Sequence, residues 1–185
     1  MPTSNNDEQQ LIERLKDPKT QRRAFEQLVG MFGERMYWQI RRMVLTHEDA
    51  NDVLQNVMMK AWMHLDSFHQ DSKLSTWLYR IAVNESLDFL RRQQAQKAMS
   101  TDDDASGVAN MLMADNYFDG DETAAQLQEA IARLPEVQRT VFNLRYFENL
   151  KYSEISQIMH TTEGALKASY HLAVKKVTDF FNNHD

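Results

Sequence analysis

The chain of 185 residues contains no cysteine, only five glycines and three prolines, and no apolar run near the ~20 residues that a membrane-spanning helix needs. The first absence excludes a disulfide framework and any thiolate metal site. Scarce glycine and proline leave room for long helices, because few positions break them. The opening residues, Met1 to Gln10, are polar and lack an apolar centre, so no secretory signal is expected and no membrane insertion either. Apolar residues recur every three or four positions almost throughout, and no alternating strand pattern stands out. An all-α fold follows.

Net charge is −6, which is unusual for a chain that binds nucleic acid. Its distribution matters more than its sum. Residues 8–97 carry a balance of +2, residues 98–126 carry −7 without a single Lys or Arg, and residues 127–185 are balanced. Two nearly neutral helical parts are thus joined by an acidic stretch. Phosphate neutralisation supplies most non-specific affinity, so this chain should bind free DNA weakly and rely on a partner to hold it there.

Periodicity divides the first part into four helices. They cover residues 8–16, about 21–45, from a Thr46/Asp49 capping pair to about Leu65, and from a cap at Ser75 or Thr76 to near Gln96. Residues 1–97 are expected to form one domain. Residues 98–122 lose the pattern, and Thr101 to Gly107 reads as a solvated linker. Within it Met111, Leu112, Met113, Tyr117 and Phe118 are out of place, and they either dock on a partner or lie on the chain's own domain. Residues 123–185 form the second domain. A Thr123/Gln126 pair caps its first helix, and Pro135 opens the next. Glu148, Asn149 and Leu150 make a turn, a short helix covers about 152–159, and a long one ends near Asn182. That arrangement is helix-turn-helix organisation.

Two stretches carry the chemistry. On the fourth helix, Trp77, Arg80, Asn84, Asp88 and Arg91 fall on one stripe, with Arg92 beside it and Phe68 in the loop before it. Aromatic faces for stacking, guanidinium groups for phosphate and an amide for base edges are what single-stranded nucleic acid requires. The plainer alternative is that Trp77 covers the core and Arg80 pairs with Asp88 or Glu85. On the last helix, Leu166, Tyr170, Ala173, Val177 and Phe181 face inward, while Lys167, Ala168, His171 and Lys175 face out. Outward residues at the start of such a helix meet base edges and phosphates in the major groove, unless this is only a solvated face. His64, His69, Asp66 and Asp71 fit no ligand spacing, so no metal and no other cofactor is expected. The methionines read as core filler, and His47 and His160 as solvated. No nucleophile elbow or phosphate-binding glycine loop is present, so the chain is not expected to be an enzyme.

Three motifs stand in order: Asp49-Ala50-Asn51-Asp52-Val53-Leu54-Gln55-Asn56-Val57 with Trp62; Phe68 and Ser72 followed by Thr76-Trp77-Leu78-Tyr79-Arg80-Ile81-Ala82-Val83-Asn84; and Leu134-Pro135 through Lys175. Together they resemble the extracytoplasmic-function sigma factors of bacterial RNA polymerase, over nearly the whole chain. The resemblance implies a cytoplasmic transcription initiation factor with three contact regions. Asp52, Gln55, Asn56 and Val57 would dock on core RNA polymerase. Phe68, Thr76, Trp77, Arg80, Asn84, Arg91 and Arg92 would melt and read the minus-ten element of promoter DNA, with Asn84 against a flipped-out base. Thr162, Lys167, Ala168, Ser169, His171 and Lys175 would read the minus-thirty-five element. The acidic linker would thread a basic channel of the polymerase, and an anti-sigma factor is a further implied partner.

Five positions depart from the family pattern. Asn56 stands where an acid is usual, which removes one charged contact. Lys151 stands where a capping hydroxyl is common. The recognition helix has Lys167, Ser169 and Leu172 where relatives often carry Arg, which implies an unusual or A·T-rich upstream element. The competing classes are a stand-alone helix-turn-helix regulator, which should bind duplex DNA alone, and a helical adaptor, which needs neither stripe nor recognition helix.

Overall fold

The computed structural model describes residues 5–97 and 107–183. These form nine α-helices and one short 3-10 turn, with no strand among them. Four helices make the first unit: α1 (Asn5–Lys16), α2 (Gln21–Val44), α3 (His47–Met63) and α4 (Leu74–Lys97). After the segment that joins the units come α6 (Glu122–Ala132), α7 (Glu136–Tyr146), α8 (Tyr152–Met159) and α9 (Glu163–Asn182).

The apolar stripes read from the sequence bury as expected. Leu28, Met36, Ile40 and Met43 of α2 are fully enclosed, as are Ala50, Val57 and Ala61 of α3 and Leu74, Leu78 and Ala82 of α4. This cluster continues into the second unit through Val141, Leu144, Ile155, Ile158 and Leu166. A smaller core, built on Ile131, Phe142, Ala173 and Val177, holds α6, α7 and α9 together. Contacts of α2 with α7 and of α4 with α8 join the two units directly.

Caps explain where the helices start. Thr46 Oγ1 accepts the Asp49 N–H at 3.1 Å, as its spacing implied. Helix α4 departs from expectation: it begins at Leu74, ahead of Ser75 and Thr76. The carboxylate of Glu8 on α1 accepts the Leu74 N–H at 2.7 Å, so this helix is capped from 66 residues away. Asp121, not Thr123, caps α6, taking the Ala124 N–H at 2.8 Å. Lys151 offers no acceptor to α8, and Glu154 instead reaches back to the Lys151 N–H at 2.9 Å.

The expected solvated stretch between the units contains a short fifth α-helix, α5 (Val108–Met113), opened by Gly107 at φ 88°. A backbone angle of that sign favours glycine. Glu129 of α6 accepts the Ala109 N–H at 2.9 Å and so caps α5. Leu112 is buried, and Arg41, itself only 5% exposed, pairs with Asp115 at 2.5 Å. Tyr117 stacks on His47 at 3.8 Å between ring centres. His47 is therefore not free in solvent: its ring nitrogens also bond Tyr37 Oη at 2.7 Å and Asn51 at 2.9 Å. Leu112 and one face of Tyr117 thus lie on the chain itself, while Phe118 is half-buried and Met111, Met113 and the rest of Tyr117 stay exposed. The acidic run from Thr101 to Ser106 lies outside the described residues.

Replacing the distant cap should be measurable. Glu8→Ala leaves the Leu74 N–H without its acceptor and is expected to cost about 0.5–2 kcal/mol, read as a lower urea midpoint of the whole chain.

Candidate nucleic-acid interface

Helix α4 positions most of the first set of candidates, and it sorts them by depth. Thr76 and Trp77 are buried, and Trp77 lies 5.3 Å from Phe68 between ring centres. Phe68 is itself only 7% exposed. The two aromatics form a wall and not an open stacking platform. Arg80 is half-buried, and its Nε finds no hydrogen-bond partner among the described residues. It pairs with neither Asp88 nor Glu85, because Glu85 is taken by Lys60 and Asp88 by Arg91. Asn84, Arg91 and Arg92 are exposed.

Trp77, Asn84, Arg91, Lys60, His64 and Ser67 line one cavity of about 440 Å³. That volume falls within the roughly 300–1,000 Å³ usual for small-molecule sites. An aromatic wall, an amide and two cations therefore face a common space, together with the carboxylates of Glu85 and Asp88 that pair with those cations. A planar, hydrogen-bonding group joined to an anionic backbone suits it, as an unstacked nucleotide would.

On α3, Asp52 and Gln55 are exposed and Asn56 is half-buried, on a continuous outward face. Exposed Met59 and Trp62 extend that face. Val57 has none of its surface exposed. It belongs to the core beneath the face and cannot touch a partner in this arrangement.

The second set lies on α9. Thr162 caps it, accepting the Ala165 N–H at 3.3 Å. Lys167, Ala168, His171 and Lys175 are exposed and Ser169 is half-buried. Lys167 Nζ sits 5.6 Å from the centre of the Tyr152 ring, a cation–π contact that holds its stem over α8.

One group that sequence reasoning treated as a turn residue proves central. Glu148 is only 9% exposed. Its carboxylate accepts from Tyr79 Oη at 2.6 Å and Arg42 Nη1 at 2.9 Å, with Arg35 Nη2 at 3.7 Å. Burial, reinforced by the adjacent Glu148 charge, holds the Tyr79 hydroxyl above its ordinary pKa, so it remains a donor. Burial also lowers the Arg42 pKa, against the opposing pull of Glu148. Arg42 further covers the Phe147 ring at 4.3 Å. Two more pairs cross between the units: Lys73 with Glu154 at 2.9 Å and Arg91 with Glu136 at 2.7 Å. Burial alone would raise the Glu154 pKa, yet the Lys151 N–H and Lys73 outweigh it and hold the carboxyl below its usual range. The seven-residue spacing of Arg35 and Arg42 was the available sequence signal, since it puts both on one helix face.

Residues 28–96 match the Sigma-70 region 2 family and residues 124–177 match the Sigma-70, region 4 family. The ECF RNA polymerase sigma factor SigW of Bacillus subtilis is 30% identical over 158 residues, 80% of this chain and 83% of that protein. The ECF RNA polymerase sigma-E factor of Escherichia coli K12 is 32% identical over 170 residues, 87% of each. This chain belongs to the extracytoplasmic-function sigma factors.

Among solved structures, the sigma factor RpoE in complex with the anti-sigma factor NepR from Bartonella quintana shares the fold at a TM-score of 0.71. It is 22% identical, over 85% of this chain and 96% of that one. CnrH in complex with the cytosolic domain of CnrY also gives 0.71, at 19% identity over 96% and 99%. Among the described residues of this sigma factor, no helix is long and apolar enough to cross a membrane.

The depth of each α4 residue sets what a substitution should do. Trp77→Ala is expected to cost about 3–5 kcal/mol of stability, as for other buried aromatics. Asn84→Ala, on the exposed side of the same helix, should stay within roughly 0.5 kcal/mol of the parent in chemical denaturation.

Proposed function

We propose that the first unit of this sigma factor docks on core RNA polymerase through the outward face of α3 and reads the minus-ten element through α4. Asp52, Gln55 and Asn56 present the docking contacts. Asn84 bonds the edge of a base drawn into the Trp77 cavity, while Arg80, Arg91 and Arg92 meet the strand's phosphates. Phe68, Thr76 and Trp77 support that cavity from beneath. The domains are residues 1–97 and 123–185, joined by 98–122. The second unit reads the minus-thirty-five element with the exposed face of α9, where Lys167 and Ala168 lie nearest the helix start. Nucleotide addition belongs to the polymerase, and this cytoplasmic chain contributes no catalytic residue. One observation carries the reading: aromatic, amide and cationic groups converge on one cavity, on the helix that holds the most specific motif.

An anti-sigma factor that clamps the two units is a further partner in this reading, suggested by two small cores joined by a single segment. Purification from repressing conditions without any bound inhibitor would count against it.

Two substitutions test the assignments. Asn84→Ala should impair open-complex formation and base discrimination in the minus-ten element while core binding stays intact. Unchanged initiation from a matched promoter would remove its role. Lys167→Ala should weaken use of the upstream element by about 1–3 kcal/mol if it reads a base. An equal loss on all upstream sequences would reassign Lys167 to phosphate.

A further inference from the structure

Helix α9 turns two rows of side chains outward. Lys167, His171 and Lys175 recur every four residues as a basic row, and all three are exposed. Ala168 and Leu172, exposed as well, form a second row about 100° farther round the helix. Lys176 stands on the other side of Leu172 and is also exposed. Leu172 keeps 47% of its surface open, although it is a large apolar side chain. The core does not need it: Leu166, Ala173 and Val177 are buried on the opposite face, and Tyr170 stacks on Phe142. The two carboxylates of α9 are Glu163, at its first position, and Asp179, about two turns past Leu172.

A single exposed leucine is ordinary; what surrounds this one is informative. Basic groups flank it on both sides, so the face suits a surface with anionic edges and apolar groups between them. The major groove of DNA is such a surface, with phosphates along its rims and thymine C5-methyl groups on its floor. Leu172 has neither donor nor acceptor. Against guanine or cytosine it would strip water from polar base edges and replace no bond. Against thymine it buries a methyl group.

We propose that Leu172 is a specificity-determining residue of the upstream contact: it packs on the C5-methyl group of a thymine in the major groove and disfavours a G·C pair at that position. This rests on the reading of α9 as the helix that enters the minus-thirty-five element. Ala168 stands one turn nearer the helix start, about 5–6 Å away, and base pairs follow one another at about 3.4 Å. The two side chains therefore reach pairs one or two steps apart, while Lys175 and Lys176 hold the flanking phosphates.

The test uses the full chain bound to core polymerase. This complex first selects its preferred sequence from promoter duplexes randomised in the upstream element. Each thymine of the selected element is then replaced in turn by deoxyuridine, which keeps the base pair and removes only the C5-methyl group. With the parent chain, one such replacement should weaken promoter binding roughly fourfold, the worth of one methyl group withdrawn from water. Leu172→Ala should bind the unmodified element several-fold more weakly and lose nothing further at that same deoxyuridine. Its urea midpoint should match the parent's, because the side chain is exposed. A selected element without thymine, no thymine whose methyl group matters, or a methyl effect undiminished in Leu172→Ala overturns the proposal. A loss in Leu172→Ala that is equal on every upstream sequence also overturns it and assigns the residue to a protein contact. Scrambling the whole upstream element separates this inference from the reading beneath it. If binding survives the scramble unchanged, α9 reads no element and both fall. If the scramble weakens binding and deoxyuridine does not, only the role of Leu172 falls.

Discussion

A single carboxylate fixes how the two halves of this sigma factor face each other. Glu148 stands in the turn between α7 and α8 and is almost withdrawn from water. Withdrawing a charge costs several kcal/mol unless partners replace its hydration. Among the described residues, α2 and α4 of the first unit supply those partners, through Arg35, Arg42 and Tyr79. The turn that delivers Glu148 is itself fastened. Asn149 takes a left-handed backbone angle of 52°, which Asn tolerates, and Arg145 bonds the Leu150 carbonyl at 2.9 Å. With Glu148 placed, α8 lies against α4 and the outward face of α9 stays exposed.

That constraint separates supporting residues from contacting ones. The second unit has a thin core of its own and shares part of its apolar interior with the first, as expected for a unit too small to bury much surface alone. Buried Trp77, Phe68, Thr76 and Val57 hold surfaces in shape. Exposed Asp52, Gln55, Asn84, Arg91, Lys167 and Ala168 are the groups that a partner can reach.

Local signals were legible in the sequence, and long-range ones were not. Helical stripes, the Thr46 cap and the inward–outward division of α9 follow from spacing within one or two turns, and the structure reproduces them. The caps of α4 and α5 come from Glu8 and Glu129, distant in sequence, so no nearby pattern could disclose them. Periodicity put Trp77 on the polar stripe because that method treats a helix as isolated; Phe68, arriving from a loop, covers the Trp77 ring. Helix α5 escaped notice because six residues give too little periodicity to read, and its order comes from Leu112, Asp115 and Tyr117 docking elsewhere on the chain. Glu148 looked like an ordinary turn residue, since its partners stand 69 or more positions away.

This chain confers promoter choice on RNA polymerase, and multi-round transcription of sheared genomic DNA by core polymerase from the source bacterium, with and without the chain and with every new RNA start mapped, measures that directly. Discrete new starts that share one upstream and one downstream element are expected. Binding to core without new starts, or no binding to core at all, would contradict it.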